Sequence, residues 1–409
     1  MQWSLSFYRD SEFILSIFSY CFAVCIVNHS LLLGWSRIVA SMADGAPGYR
    51  YLRKIALSLA FVPVGIYALL AFTQTGINIL GTLCEIPQGK EPLIQNFFAM
   101  MVVGPFFTAN RVVLEGVCIQ SKETYWVGEA TLVRLVFSML LCFVLGRYTS
   151  LSEGYLGGTT LVGGIIAESS WLWWKSRHLI HRLASQLSAP PLSFSTVLKA
   201  WFPLYLSSLS WTISYPLINR MIIANNGNPA LLDAELAGFG VLRSLVLTIG
   251  GPVYALTNAI LSLYRNTDDL KAIRSFGILF CTCISLASIC FLFPFFQHWV
   301  LQSVFHLDTL TIQLSSFSLC LLPLYPWFTV FRSLSEGKLI KLRNFRIFVV
   351  TSSFRVLSVY GTGELYHLFQ CSWSGVTLGT VCLFVAAGSD WLWFSLYAST
   401  LKDEPTPIA

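Results

Sequence analysis

Six arginines and five acids sit inside stretches that are otherwise apolar. The arginines are Arg111, Arg134, Arg220, Arg243, Arg332 and Arg355, and the acids are Glu115, Glu129, Glu168, Glu336 and Asp390. An Arg at membrane depth costs about 2.5–3.5 kcal/mol on insertion scales, so it pairs, faces water or does work. Arg111 and Glu115 are four apart, as are Arg332 and Glu336. That spacing puts both members on one helix face. Each pair is read either as a structural or snorkelling clamp or as a gate pair that changes partners between states. Arg134 and Arg355 have no acid four residues away on their own stretch. They either bond to a neighbouring helix or face an anion. Glu168 and Asp390 adjoin Ser169 and Ser389 and a repeated Trp-Leu-Trp. They either hydrogen-bond to those serines or carry a coupling proton.

Other chemistry is sparse. Most of the 11 cysteines lie in apolar runs, where they behave as small hydrophobes. Cys84 and Cys371 fall in connections and could pair only in an oxidising compartment. His178 and His181 stand in a basic stretch without Cys or carboxylate support and are expected to be solvated. Asn28 and His29 lie inside the first apolar run and are candidates to face a cavity. There is no Walker A, Gly-x-Ser-x-Gly or His-Glu-x-x-His pattern, so no metal, cofactor or catalytic residue is expected.

The elements carrying these groups follow from composition. Of 409 residues, 55% are hydrophobic and 11% charged. A soluble fold of this size could not hide so much apolar surface. The basic residues are dispersed between apolar runs, which is no nucleic-acid footprint. Eleven runs approach the roughly 20 residues a spanning helix needs. They are 12–34, 55–80, 93–118, 125–146, 159–174, 200–225, 237–263, 277–297, 313–335, 347–362 and 375–396. Solid apolar runs rather than alternation make the class all-α. Seventeen Lys and Arg residues fall between spans on one side, and only Arg9, Lys90 and Arg147 on the other. This bias puts the C-terminus in the cytoplasm and the N-terminus outside.

The chain repeats. Pro105–Gly116 reads PFFTANRVVLEG and Pro326–Gly337 reads PWFTVFRSLSEG, with six of twelve positions identical at an offset of 221. The same offset pairs Arg134 with Arg355, and AESSWLW at 167–173 matches AGSDWLW at 387–393 at an offset of 220. Spans three to five therefore pair with nine to eleven. This predicts a five-helix bundle over 1–183, a cytoplasmic linker over 184–199 and a six-helix bundle over 200–409. Parallel repeats about an axis along the membrane normal are a transporter architecture.

At this point a resemblance is visible. The stretches WFPLYLSSLSWTISYPLINR (201–220), TVFRSLSEG (329–337), FRVL (354–357) and GVTLGT (375–380) resemble the multidrug/oligosaccharidyl-lipid/polysaccharide (MOP) exporter superfamily. Its turn after the fourth and tenth helices is resembled by Glu115-Gly116 with Lys122 and by Glu336-Gly337 with Lys341. The second half looks most like the progressive ankylosis protein family. The resemblance implies a MATE-like fold of two pseudo-symmetric bundles, here 5+6, lacking the first helix. It also implies export of an organic or phosphorylated anion by alternating access between two helical halves. The alternatives are a lipid-linked saccharide flippase and, in another class, a membrane-embedded transferase or an inert scaffold.

By the same resemblance, the spans carrying Arg220 and Arg243 line the central cavity. Arg243 first, then Arg220, with Arg134, Arg355 and Asn28, are the candidate substrate contacts. Guanidinium suits carboxylate and phosphate because it stays charged and grips two oxygens at once. The expected partners are the bilayer and a small anionic or lipid-linked substrate, with no nucleic acid. A bacterial cytoplasmic membrane is the expected location, since no outer connection carries an Asn-x-Ser/Thr sequon.

Overall fold

A computed structural model describes residues 11–43, 45–84, 91–149, 151–184, 192–225, 229–342, 344–369 and 372–400, nearly all of them helical and none in a strand. The helices run α1 Ser11–Leu33, α2 Trp35–Met42, α3 Gly45–Leu59, α4 Phe61–Phe72, α5 Gln74–Cys84, α6 Glu91–Met101, α7 Gly104–Gln120, α8 Tyr125–Tyr148 and α9 Glu153–Ala184. They continue as α10 Phe194–Asn225, α11 Pro229–Leu263, α12 Thr267–Ser288, α13 Pro294–His298, α14 Thr309–Cys320, α15 Tyr325–Lys341, α16 Arg346–Leu368 and α17 Gly375–Thr400. Several are segments of one bent rod, so the described helices fall into eleven successive rods matching the eleven apolar runs. Seven are long and apolar enough to cross a membrane, and α6 with α7 forms an eighth, bent by 46°. The rods α9, α10 and α16 are long enough, but Gly, Ser, Thr and charged residues dilute them.

The outer face explains the composition. Along α8, Leu132, Leu135, Val136, Phe137, Met139, Leu140, Phe143 and Val144 are all exposed, while only Ala130 and Cys142 are buried. An apolar surface of that extent is intolerable in water and ordinary in lipid. The chain is a multi-pass membrane protein. Its helices outrun the apolar runs, because backbone hydrogen bonding does not depend on apolar side chains. Arg50, Arg53, Lys54, Lys175, Arg177, Lys199, Lys271, Arg274, Lys338 and Lys341, expected in connections, therefore stand on helices.

Two compact units emerge: Cys21–Leu209, and Ser210–Ala409 together with Gln2–Tyr20. The linker expected over 184–199 is helical from Phe194 onward, and the boundary falls later, inside α10. Within the first unit, α9 packs on α6, α7 and α8, and α2 packs on α7. Within the second, α11 packs on α12, α14 and α15, and α17 on α15 and α16. An apolar cluster of Val253, Leu256, Ile260, Tyr264, Ile273, Cys281, Val330 and Leu334 joins α11, α12 and α15. The start of α12 is set by a capping box, Asn266 accepting from the Asp269 N–H at 2.8 Å and Asp269 accepting from the Asn266 N–H at 3.2 Å.

The repeat is visible in local geometry. Pro105 and Pro326 lie in the first turn of α7 and α15, each just after a break, where proline's missing N–H costs nothing. Both helices end on the same six-residue closure, Glu123 N–H to Cys118 C=O and Asn344 N–H to Leu339 C=O, each at 2.9 Å. In the first, Lys122 takes a left-handed φ of 64° where glycine is usual. Gly116 and Gly337, repeat mates, are helix crossings. A Cβ on Gly116 would stand 2.5 Å from Val39 Cβ, and one on Gly337 2.9 Å from Ile260 Cβ. Small residues at such crossings let backbones approach. Gly116→Val and Gly337→Val should each destabilise by about 1–3 kcal/mol through overpacking. The check is the thermal unfolding midpoint in detergent. Gly65→Ala, which meets open space, should leave it unchanged or slightly raised.

Candidate functional site

In the first unit, the charges of the apolar runs converge on the buried Glu168 where α7, α8 and α9 meet. Arg111 Nη1 lies 3.4 Å from Glu168 Oε1, and Arg134 Nη1 lies 3.1 Å from Glu168 Oε2. Two guanidinium groups thus share one carboxylate, one oxygen each. Arg111 also reaches Glu115 at 3.8 Å along its own helix. Around this, Asn110 donates to Ser169 Oγ at 3.0 Å and accepts from Arg53 Nη2 at 3.4 Å. Glu129, near Arg134 in sequence, points elsewhere and meets Lys175 at 3.8 Å. Lys175 also lies over the ring of Trp126 at 4.0 Å and near Trp171 and Trp174, an aromatic setting typical of a membrane interface.

The second unit repeats the device with α15, α16 and α17. Arg332 Nε lies 3.2 Å from Asp390 Oδ2, Arg355 pairs with the same oxygen, and Arg332 reaches Glu336 at 3.7 Å. Aspartate is one methylene shorter than glutamate, and both arginines close on one of its oxygens. Burial differs between the halves. Arg355 and Asp390 are each 1% exposed, whereas the Arg134 side chain is 37% exposed. The second cluster is also walled by tyrosines. The Tyr254 and Tyr325 hydroxyls are 2.7 Å apart, and the Arg332 guanidinium lies 5.7 Å from the Tyr254 ring.

The structure therefore brings together, within each unit, the residues expected as gate pairs, proton carriers and substrate-facing arginines. Each quartet holds two cations and two acids. As substrate contacts, Arg134 and Arg355 would have to exchange these partners. The contact register also differs from the text match: Glu168 and Asp390 are equivalent at an offset of 222, not 220. Asn110–Ser169 and Phe331–Trp391 follow the same register, the latter rings 5.8 Å apart. Two residues along a helix is about 200° around it, so the repeated Trp-Leu-Trp faces differently in the two halves.

Arg243 and Arg220 separate. Because α11 begins at Pro229, eight residues before the apolar run at 237, Arg243 lies roughly 21 Å along it at 1.5 Å per residue, well inside the helix. It is 1% exposed, its guanidinium is 5.2 Å from the Tyr215 ring, and its Nη2 donates to the Ser19 carbonyl at 3.4 Å. Arg220 is exposed near the end of α10. In the first unit, Asn28 donates to the Pro63 carbonyl at 3.0 Å. Beside it, His29 Nδ1 lies 3.0 Å from both the Cys25 carbonyl and the Tyr67 hydroxyl. The tyrosines, Tyr67, Tyr215, Tyr254 and Tyr325, are the polar groups sequence reasoning missed, because each counts as apolar within its run. His178 is exposed, and Cys371 lies outside the described residues.

Removing one member of a buried pair leaves an uncompensated charge and costs about 3–5 kcal/mol. Asp390→Asn should therefore destabilise by that amount, and Asp390→Asn with Arg355→Met should cost less than the sum of the single changes. Arg134→Met, at the more exposed site, should cost less than Arg355→Met. Denaturant midpoints of the purified variants check all three.

No family profile and no curated protein matches the chain. Solved structures do. One is described as an inward-facing conformation of a multidrug resistance MATE family transporter of the MOP superfamily, at 17% identity and a TM-score of 0.68, covering 98% of this chain and 93% of that one. An outward-facing conformation of such a transporter matches at 18% identity and a TM-score of 0.69, over 98% and 90%. A MOP superfamily transporter from Pyrococcus furiosus, whose reverse pocket polarity is said to suggest a different function, matches at 16% and 0.63, over 97% and 90%. The narrower resemblance to the progressive ankylosis family rests on residues alone. This chain has a MATE-like fold.

Proposed function

We propose that the chain is a secondary transporter that exports an organic or phosphorylated anion by alternating access. The observation that carries the reading is Arg243, a guanidinium held at mid-helix, 1% exposed, against the Tyr215 ring. A cation at that depth is expensive and marks a pathway or ligand site by default. Each Arg–carboxylate quartet is balanced in charge, which leaves Arg243 and Arg220 as the remaining span arginines against one remaining span acid, Glu129. That bias favours a carboxylate- or phosphate-bearing cargo. The fold supports transport, since neighbours sharing it are described in inward- and outward-facing conformations. Glu168 and Asp390 are the proposed coupling carboxylates. The two Arg–Glu helix pairs, Arg111–Glu115 and Arg332–Glu336, are the proposed gates. Asn28, Arg134 and Arg355 are secondary contacts. The proposed setting is a bacterial cytoplasmic membrane with the C-terminus inside.

Reconstituted vesicles test this with citrate and a nucleoside triphosphate as trial anions and ethidium as a trial cation. Wild-type protein should stimulate uptake of an anion. Arg243→Gln should reduce that uptake by about tenfold or more, equivalent to ~1.4 kcal/mol, and Arg243→Lys should retain part of it. Transport of ethidium but neither anion, or anion uptake indifferent to Arg243→Gln, would reverse the assignment.

A further inference from the structure

The strongest unassigned feature is a groove on α3 in the first unit. Its volume is about 330 Å³, and its lining includes Tyr49, Arg50, Arg53, Lys54, Leu57 and Phe61. The spacing explains the shape. Positions 50, 53, 54, 57 and 61 fall on one helical face, three cations followed by two apolar side chains. The described lining holds no carboxylate. Arg53 Nε is buried with no hydrogen-bond partner among the described residues, and the Tyr49 hydroxyl stands beside the Arg53 guanidinium. Both stand at the basic end of the groove, beside the exposed Arg50 and Lys54. At the other end Phe61 is 65% exposed and Val62 53%, continuous with the apolar outer surface, and Phe61 rests edge-on against Phe106 at 5.0 Å.

From this juxtaposition we infer a binding site for an anionic glycerophospholipid, its phosphate against Arg50, Arg53, Lys54 and the Tyr49 hydroxyl and its acyl chain along Leu57 and Phe61. A free anion would use only the basic end and leave the apolar end facing hydrocarbon. A zwitterionic lipid would bring a cation toward three cations. The anionic lipid satisfies both ends. It also fits the side on which the chain concentrates its Lys and Arg, because the cytoplasmic leaflet holds the anionic lipids. Arg53 links the groove to Asn110, and through it to Ser169, the neighbour of Glu168. The inference does not depend on the chain being a transporter.

The test is native mass spectrometry of the full chain released from nanodiscs of equimolar dioleoylphosphatidylglycerol and dioleoylphosphatidylcholine. Wild-type protein should retain phosphatidylglycerol over phosphatidylcholine by roughly tenfold, as several adjacent cations allow. Arg50→Gln with Lys54→Gln, both exposed and so tolerated by the fold, should bring the preference close to unity, and Lys54→Glu alone should weaken it. Leu57→Ala with Phe61→Ala should reduce retention of the lipid without restoring phosphatidylcholine. Millimolar inorganic phosphate should not displace the retained lipid. Undiminished preference in the neutralised variant would overturn the proposal. So would full displacement by inorganic phosphate, which would mark a soluble-anion site.

Discussion

Two guanidinium groups compete for one carboxylate, and each unit of this protein is organised around that arrangement. In water the contact would be weak. Between packed helices it binds three elements at once, since the acid comes from one helix and the arginines from two others. Arg111, Arg134 and Glu168 do this for α7, α8 and α9, and Arg332, Arg355 and Asp390 for α15, α16 and α17. A second acid, Glu115 or Glu336, stands one turn from the first arginine and balances the cluster. The packing around it is tight enough that a glycine is needed at each neighbouring crossing.

The bilayer imposes the rest. Outward faces are apolar, and polar groups turn inward or gather at helix ends. Those ends are satisfied by side chains: Lys338 donates to the Ala398 carbonyl and Lys341 to the Leu261 carbonyl, both at 2.9 Å. Glu235 accepts from the first N–H of α17 at 2.9 Å, placing a negative group at a helix N-terminus. The basic excess on which the proposed orientation rests is thus partly structural, since some of those lysines close helices.

Much of this was legible in residue types. Apolar runs gave the rods, and the paired Arg, Glu and Pro of the two repeats gave the internal symmetry, because charge and proline are rare enough in such text to align on. The pairing of Arg134 and Arg355 across helices was open but not decidable. One dimension of spacing shows that no acid lies a turn away, not which neighbouring helix supplies one. The Trp-Leu-Trp match drew the alignment two residues off the contact register, since tryptophans recur in apolar runs without marking equivalent contacts. Helix bounds were drawn too tightly because the backbone hydrogen-bond ladder continues past the apolar side chains, as at α11, which begins at Pro229 rather than at 237. The buried tyrosines carried no signal, because a phenol in an apolar run differs from phenylalanine only once its hydroxyl has a neighbour.

The shared-carboxylate account is tested most directly by hydrogen–deuterium exchange of the Asp390→Asn variant in detergent or nanodiscs. The account predicts faster exchange concentrated in α15, α16 and α17, with α7, α8 and α9 unchanged. Exchange indistinguishable from the wild type, or a loss of protection spread evenly along the chain, would contradict it.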